Sequence, residues 1–260
     1  MRNKFNVLAY ILRIPRIIHE QNGVLGRVNH LFARRVQALA CGTWPMELPP
    51  DVTGLAMGNP VRSEVLARAG AEYIAPGDYP MSLLAMGGSQ AAKVISDVLP
   101  AALAALPPDL RGLIRIAHQA RPEDIPRVST AYEQAGIRAE VAPFFDDIPR
   151  RMSEAQLIIS RAGASSLADI TVIGRPVILI PFAAAAGDHQ TVNARALAQA
   201  GGAVLLAEDT ITPAQLCADI LRILRDAKIA KSMAAAALAA ARPNAARDLA
   251  DLAETLARKV

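Results

Sequence analysis

The stretch QLIISRAGASSLAD, Gln156 to Asp169, sets the architecture. Leu157, Ile158 and Ile159 follow one another without a polar interruption, the pattern of a strand covered on both faces. Gly163 then permits a tight turn, and a helical pattern starts at Ala164 with Ser165 and Ser166 in its first turn. Asp169 falls three to four residues beyond those serines, on the same helical face. The stretch is one strand–turn–helix step, and such steps build open parallel sheets with helices on both sides.

Working outward, the step recurs. RIIHE (16–20) precedes a helical pattern over 25–35, followed by VQALA (36–40). VTGLAM (52–57) leads into 62–69, SLLAM (82–86) into 91–106, and LIRIA (113–117) into 122–135. PVILI (176–180) leads into 189–200, and AVLLA (203–207) into 213–225. The tail, 229–260, is rich in Ala and Leu and reads as two helices broken near Pro243. The expected fold class is α/β, a Rossmann-like, doubly wound parallel sheet. A boundary is expected at AMGNPVR (56–62), dividing the chain into 1–60, 61–228 and 229–260. From Leu83 onward there are five or six steps, enough for a whole domain; before Asn59 there are two or three strands and one clear helix, about half of what such a domain needs.

The 260 residues are 52% hydrophobic and only 4% aromatic, a globular composition with a core of Ala, Leu, Val and Ile. The net charge of +4 and pI near 9.3 tolerate an anionic partner, but Lys and Arg are scattered and form no basic stripe with interleaved aromatics, so nucleic acid is not an expected partner. Cys41 and Cys217 lie far apart and support neither a zinc site nor a disulfide framework, which fits a reducing compartment. The opening MRNKFNVLAYILRIPRI is basic and then apolar; its run Val7 to Leu12 is too short to span a bilayer, and no cleavage site follows.

In open α/β sheets ligands bind beyond the carboxyl ends of the strands, so the residues after each strand carry the functional reading. After SLLAM, Gly87-Gly88-Ser89-Gln90 suits a phosphate against a helix N-terminus, or serves as a plain turn with a Ser cap. After QLIIS, Asp169 can accept from a ribose diol or stand solvated beside a capped helix. After PVILIPF, Gln190 and Asn193 share a helical face and amides read sugar hydroxyls well, while Asp188 reads as the helix N-cap. PFFDDIP (143–149) puts two aromatics on a loop, either bordering a flat base or lying in the core, and Asp146 and Asp147 read as a helix N-terminal charge pair. His118, ending its strand, reads as a satisfied edge histidine. One sheet edge thus carries the parts for a nucleotide-diphosphate sugar.

Taken in order and spacing, HEQNGVLGRVN, GNPVR, MGGSQAAK, RAGASSLAD and DHQTVNARAL resemble the MurG family from about Ile14 to the C-terminus. These peptidoglycan glycosyltransferases move N-acetylglucosamine (GlcNAc) from UDP-GlcNAc to lipid I, forming lipid II. The resemblance implies a two-domain GT-B architecture, an inverting transfer without a metal or cofactor, and peripheral attachment to the cytoplasmic face of the inner membrane. By motif, Asn22 lines the cleft, Arg62 and Ser89 meet the nucleotide and diphosphate, and Phe145 holds the loop position whose backbone reads the base. Ala164, Ser165, Ser166, Leu167, Ala168 and Asp169 form the helix start at the ribose, and Gln190 and Asn193 hold the sugar hydroxyls. The family's GGTGGH-like segment and second glycine-rich loop, which receive the lipid-linked acceptor, have no counterpart in the sequence, and the usual ribose-binding Glu is Asp169. The chain is therefore expected to show little or no transfer by itself, and no catalytic base is assigned, His19 being the one histidine at the cleft. The other readings are a donor-binding remnant without turnover and another UDP-GlcNAc enzyme such as an epimerase.

Overall fold

A computed structural model describes residues 14–87 and 93–258. The apolar opening run and Ser89 lie outside the described residues. Two parallel sheets result. The smaller has the order β1 (Ile17–Glu20), β2 (Ala38–Cys41), β3 (Gly54–Ala56). The larger contains β4 (Met81–Met86), β5 (Ile114–Gln119), β6 (Arg138–Ala142), β7 (Leu157–Ser160), β8 (Val177–Leu179) and β9 (Ala203–Leu205). Its order, β6-β5-β4-β7-β8-β9, is that of a doubly wound dinucleotide-type sheet, and the connections reverse direction between β4 and β7. That reversal leaves a crevice at the carboxyl ends of these two strands.

Both faces of the large sheet are covered at its centre, which is why Leu157–Ile159 of β7 and all of β8 are uninterrupted apolar runs, whereas β5, next to the edge, exposes Arg115. Leu83 packs on one side with Ile95, Leu99, Tyr132 and Ile220; Leu84, its neighbour, packs on the other with Met152, Ile158 and Ile170. β6 was not foreseen as a strand. Its residues RAEVA are charged and largely exposed because it is the sheet edge, so it has no apolar run to display. The helix expected over 62–69 is regular only at Ser63–Leu66, and the one expected over 25–35 spans Arg27–Phe32 with a 3-10 turn to Arg35.

The central helix, α1 (Ala164–Ile173), follows β7 and ends at Gly174, whose φ of 80° closes the C-terminus in the left-handed region. α2 (His189–Gln199) follows β8. The tail forms α3 (Ala227–Ala239) and α4 (Ala245–Ala257), separated around Pro243 as expected. Between them the chain returns to the small unit, since a Cβ on Gly58 would meet the Cβ of Arg242 at 2.4 Å. The linker itself is anchored to the small sheet: Met57 N and Gly58 N both donate to Cys41 O, and Asn59 Nδ2 donates to Gln21 O at 3.0 Å.

Candidate functional site

At the β4/β7 reversal lies a pocket of about 390 Å³. Arg62, Gly87, Phe144, Arg161, Ser166 and Asp169 are among its walls. α1 points its N-terminus here. Gly163 at the N-cap has no side chain to offer, and no side chain caps the first turn, so free N–H groups and the positive end of the helix dipole face the pocket. A larger groove of about 770 Å³ lies along Val192, Arg195 and Gln199 of α2. None of its lining residues comes from the large sheet's strand ends, so the smaller pocket is the one the fold singles out.

Asp169 sits one turn inside α1 with its Oδ2 3.6 Å from Nη2 of Arg62, a side chain that is itself 64% exposed. Burial raises the Asp169 pKa, and Arg62 opposes the rise. Ser165 and Ser166 line the pocket, whereas Ala164 and Leu167 are buried and Ala168 is half-buried, so these contribute backbone and packing. The two aromatics divide. Phe144 is 66% exposed at the rim; Phe145 is buried under the guanidinium of Arg151, 4.2 Å from its ring centre. Asp147 stands at the N-cap of the helix Ile148–Glu154 but gives its carboxylate to Arg150 and Arg151, which hold its pKa down.

The amides after β8 are more committed than expected. Gln190 Oε1 accepts from Ala162 N at 3.2 Å and Phe182 N at 2.9 Å, so it ties the β7 and β8 loops together. Asn193 is only 2% exposed, and its amide bonds to Gly23 N, Asn22 Oδ1 and Ala162 O. Both of its N–H groups are thereby used, so a sugar hydroxyl would have to donate to the remaining lone pair of Oδ1. Asn22 meets the large unit through Asn193. Asp188 occupies the N-cap position of α2, as expected, in the left-handed region at φ 52° and without a side-chain capping hydrogen bond. His19 Nε2 lies 3.0 Å from Gly58 O, tying β1 to the linker.

Two residues at the site escaped the sequence reading. Arg161 is buried and donates from Nη1 to Ile180 O and Pro181 O, and from Nη2 to Glu208 at 2.6 Å. Glu208 Oε2 accepts from Ala183 N, also at 2.6 Å; burial works to raise the Glu208 pKa, but the bond from Arg161 and then that from Ala183 hold it below the usual range. Together they clamp the loop leaving β8. The available signal was position: Arg161 directly follows β7 and Glu208 comes three residues after β9, and no spacing rule relates 161 to 208.

A doubly wound six-stranded parallel sheet beside a smaller three-stranded parallel one, with an uncapped helix N-terminus and a carboxylate at the switch point, defines the class: a GT-B-type glycosyltransferase fold. The profile of the Glycosyltransferase family 28 C-terminal domain matches residues 82–253. A UDP-N-acetylglucosamine--N-acetylmuramyl-(pentapeptide) pyrophosphoryl-undecaprenol N-acetylglucosamine transferase of Caulobacter vibrioides is 43% identical over 247 residues, covering 94% of this chain and 68% of the relative. One of the same description from Granulibacter bethesdensis is 46% identical over 215 residues, covering 82% and 56%. The crystal structure of Acinetobacter baumannii MurG superposes with a TM-score of 0.80 at 30% identity, covering 96% of this chain and 70% of that one. The chain belongs to the MurG family of glycosyltransferases. A Listeria monocytogenes structure described as a putative UDP-N-acetylglucosamine 2-epimerase shares the fold, with a TM-score of 0.64 at 12% identity.

Proposed function

We propose that this chain carries the donor side of GlcNAc transfer from UDP-GlcNAc to lipid I, the step that forms lipid II in peptidoglycan synthesis. The observation that carries this reading is the uncapped N-terminus of α1 opening into the pocket beside the Arg62–Asp169 pair. In this reading the helix dipole, Arg62 and Ser89 receive the diphosphate and stabilise it as it departs. Asp169 accepts from the ribose diol, the loop backbone at Phe145 meets the base, and Gln190 with Asn22 borders the sugar. The transfer is a direct displacement with inversion at the anomeric carbon, driven by deprotonation of the acceptor hydroxyl. If Nε2 of His19 donates to Gly58 O, Nδ1 is its only free acceptor, so a base role for His19 requires that nitrogen to face the acceptor.

The partner surface proposed is the cytoplasmic face of the inner membrane. Helix Arg27–Phe32 exposes Val28 and Leu31 next to Arg27, Arg34 and Arg35, an apolar and basic combination that suits an anionic interface. Among the described residues no helix is long and apolar enough to cross a membrane.

Calorimetry tests the donor reading. UDP-GlcNAc binds in preference to ADP- and GDP-sugars; equal affinity for all three overturns it. Product analysis with donor alone separates transfer from epimerisation, which needs no acceptor.

A further inference from the structure

Where the small unit faces the large one, two asparagines meet, and a buried carboxylate decides which way their amides point. Glu20, at the end of β1, is 5% exposed and has no salt-bridge partner among the described residues. Its Oε1 accepts from Asn22 N at 3.1 Å and from Asn22 Nδ2 at 3.4 Å. Its Oε2 accepts from Gly26 N at 2.9 Å and from Asn29 Nδ2 at 2.7 Å. A carboxylate only accepts, so the end of the Asn22 amide that faces it is the NH2. Asn22 Oδ1 therefore points across the cleft, where it accepts from Asn193 Nδ2 at 3.2 Å. The orientation of Asn193 follows: Nδ2 also donates to Ala162 O at 3.2 Å, and Oδ1 accepts from Gly23 N at 2.7 Å. A relay of fixed polarity thus runs Glu20–Asn22–Asn193–Ala162, and it ends two residues before α1, whose N-terminus faces the donor pocket.

We propose that Glu20 is a positioning residue for the sugar end of the donor site. It polarises Asn22, Asn22 latches Asn193, and the latch holds the two units in register. The inference rests on the donor reading above. Removing the acceptor undoes the relay in two ways. Glu20→Leu keeps the bulk but leaves four donors without a partner. Glu20→Gln turns one end of the group into a donor, so either the Asn22 pair or the Gly26/Asn29 pair faces an NH2. Glu20→Asp stays acceptor-only and restores part of the relay from one methylene further back.

The experiment measures UDP-GlcNAc and UDP affinities side by side by calorimetry on the parent chain and the three variants. The ratio of UDP-GlcNAc to UDP affinity falls about tenfold in Glu20→Leu, the scale of one or two lost hydrogen bonds, while UDP alone changes by less than about twofold. Glu20→Asp recovers part of the ratio. In the parent, the side-chain NH2 of Asn193 exchanges slowly with solvent by NMR, and exchange quickens in Glu20→Gln. Equal weakening of UDP and UDP-GlcNAc marks a merely structural role and overturns the inference, as does a ratio unchanged across the variants with fast Asn193 exchange in the parent. If Glu20→Leu fails to fold, Glu20→Asp and the exchange measurement decide by the same criteria. A parent that does not bind UDP-GlcNAc overturns the donor reading itself and the inference with it, whereas a parent that binds beside variants of unchanged ratio overturns the inference alone.

Discussion

His118 ends a strand on the same sheet edge as the site, yet it is fully buried, with Nδ1 2.8 Å from Tyr132 OH and Nε2 3.3 Å from Ser96 Oγ. Burial, with the Arg127 charge next, pushes its pKa down to about 4, against the partial opposition of Asp124. The folded protein thus holds the ring neutral where the unfolded chain, titrating near 6.5, takes up a proton. Stability from this residue is whole above about pH 6.5 and declines as pH falls toward about 4, by up to ~3 kcal/mol. Urea unfolding of His118→Gln shows a shallower loss between those pH values than the parent; parallel curves contradict this. At the same scale, Asp169 is a methylene shorter than the family's usual Glu. Asp169→Glu tightens UDP binding by roughly 1 kcal/mol if the shorter acid underreaches the diol. Competition with 2′-deoxy-UDP checks it: the deoxy compound competes less well than UDP in both chains, and equal competition refutes the ribose assignment.

Among the elements, α1 is held from behind by Arg175. This guanidinium is fully buried, pairs with no carboxylate among the described residues, and donates to the carbonyls of Ala71, Glu72, Ser153, Ile173 and Gly174. Ser153 lies in the last turn of one helix, while Ile173 and Gly174 close another, so two helix C-termini supply the negative potential that a counter-ion would. Burial lowers the Arg175 pKa, with Tyr73 opposing. Lysine cannot span this fork. Arg175→Lys costs about 2–3 kcal/mol and lowers the urea midpoint with no change in slope, and a variant of parental stability shows the carbonyl cage to be dispensable. β6 illustrates the converse case, an edge strand guarded by Arg138 and Glu140 instead of by neighbours.

For the whole molecule, the chain covers 68% of the Caulobacter vibrioides relative and 56% of the Granulibacter bethesdensis one. We propose that these 260 residues alone bind the donor but form little lipid II, because much of the acceleration in such an enzyme comes from holding both substrates in one geometry. Lipid II formation from lipid I and labelled UDP-GlcNAc, measured beside a longer family member, checks this; comparable turnover moves His19 forward as the base. Vesicle flotation tests the surface. Leu31→Glu, or a rise from 50 to 500 mM salt, reduces binding to anionic vesicles several-fold, and binding insensitive to both excludes the Arg27–Phe32 face.

How much was legible follows from the range of the forces. Eight of the nine strands, both tail helices and the break near Pro243 could be read because burial on two faces demands continuous apolar runs and proline stops a helix locally. β6 was missed because an edge strand is free of that demand. The site's glycine, serine and acid positions were visible as strand-end residues, and five ordered motifs pointed to the family. What each polar group bonds was invisible, since Gly23 and Asn193, or Arg161 and Glu208, are joined only when the strands pack side by side. Local sequence therefore determined the strand–helix order and the chemistry carried to the sheet edge. Only the tertiary structure decided that Asn193 bonds Gly23, Asn22 and Ala162, that Phe145 lies inside while Phe144 stays out, and that Glu20 accepts four hydrogen bonds at the end of β1. Hydrogen bonds are short-ranged and directional, and no spacing in one dimension encodes them.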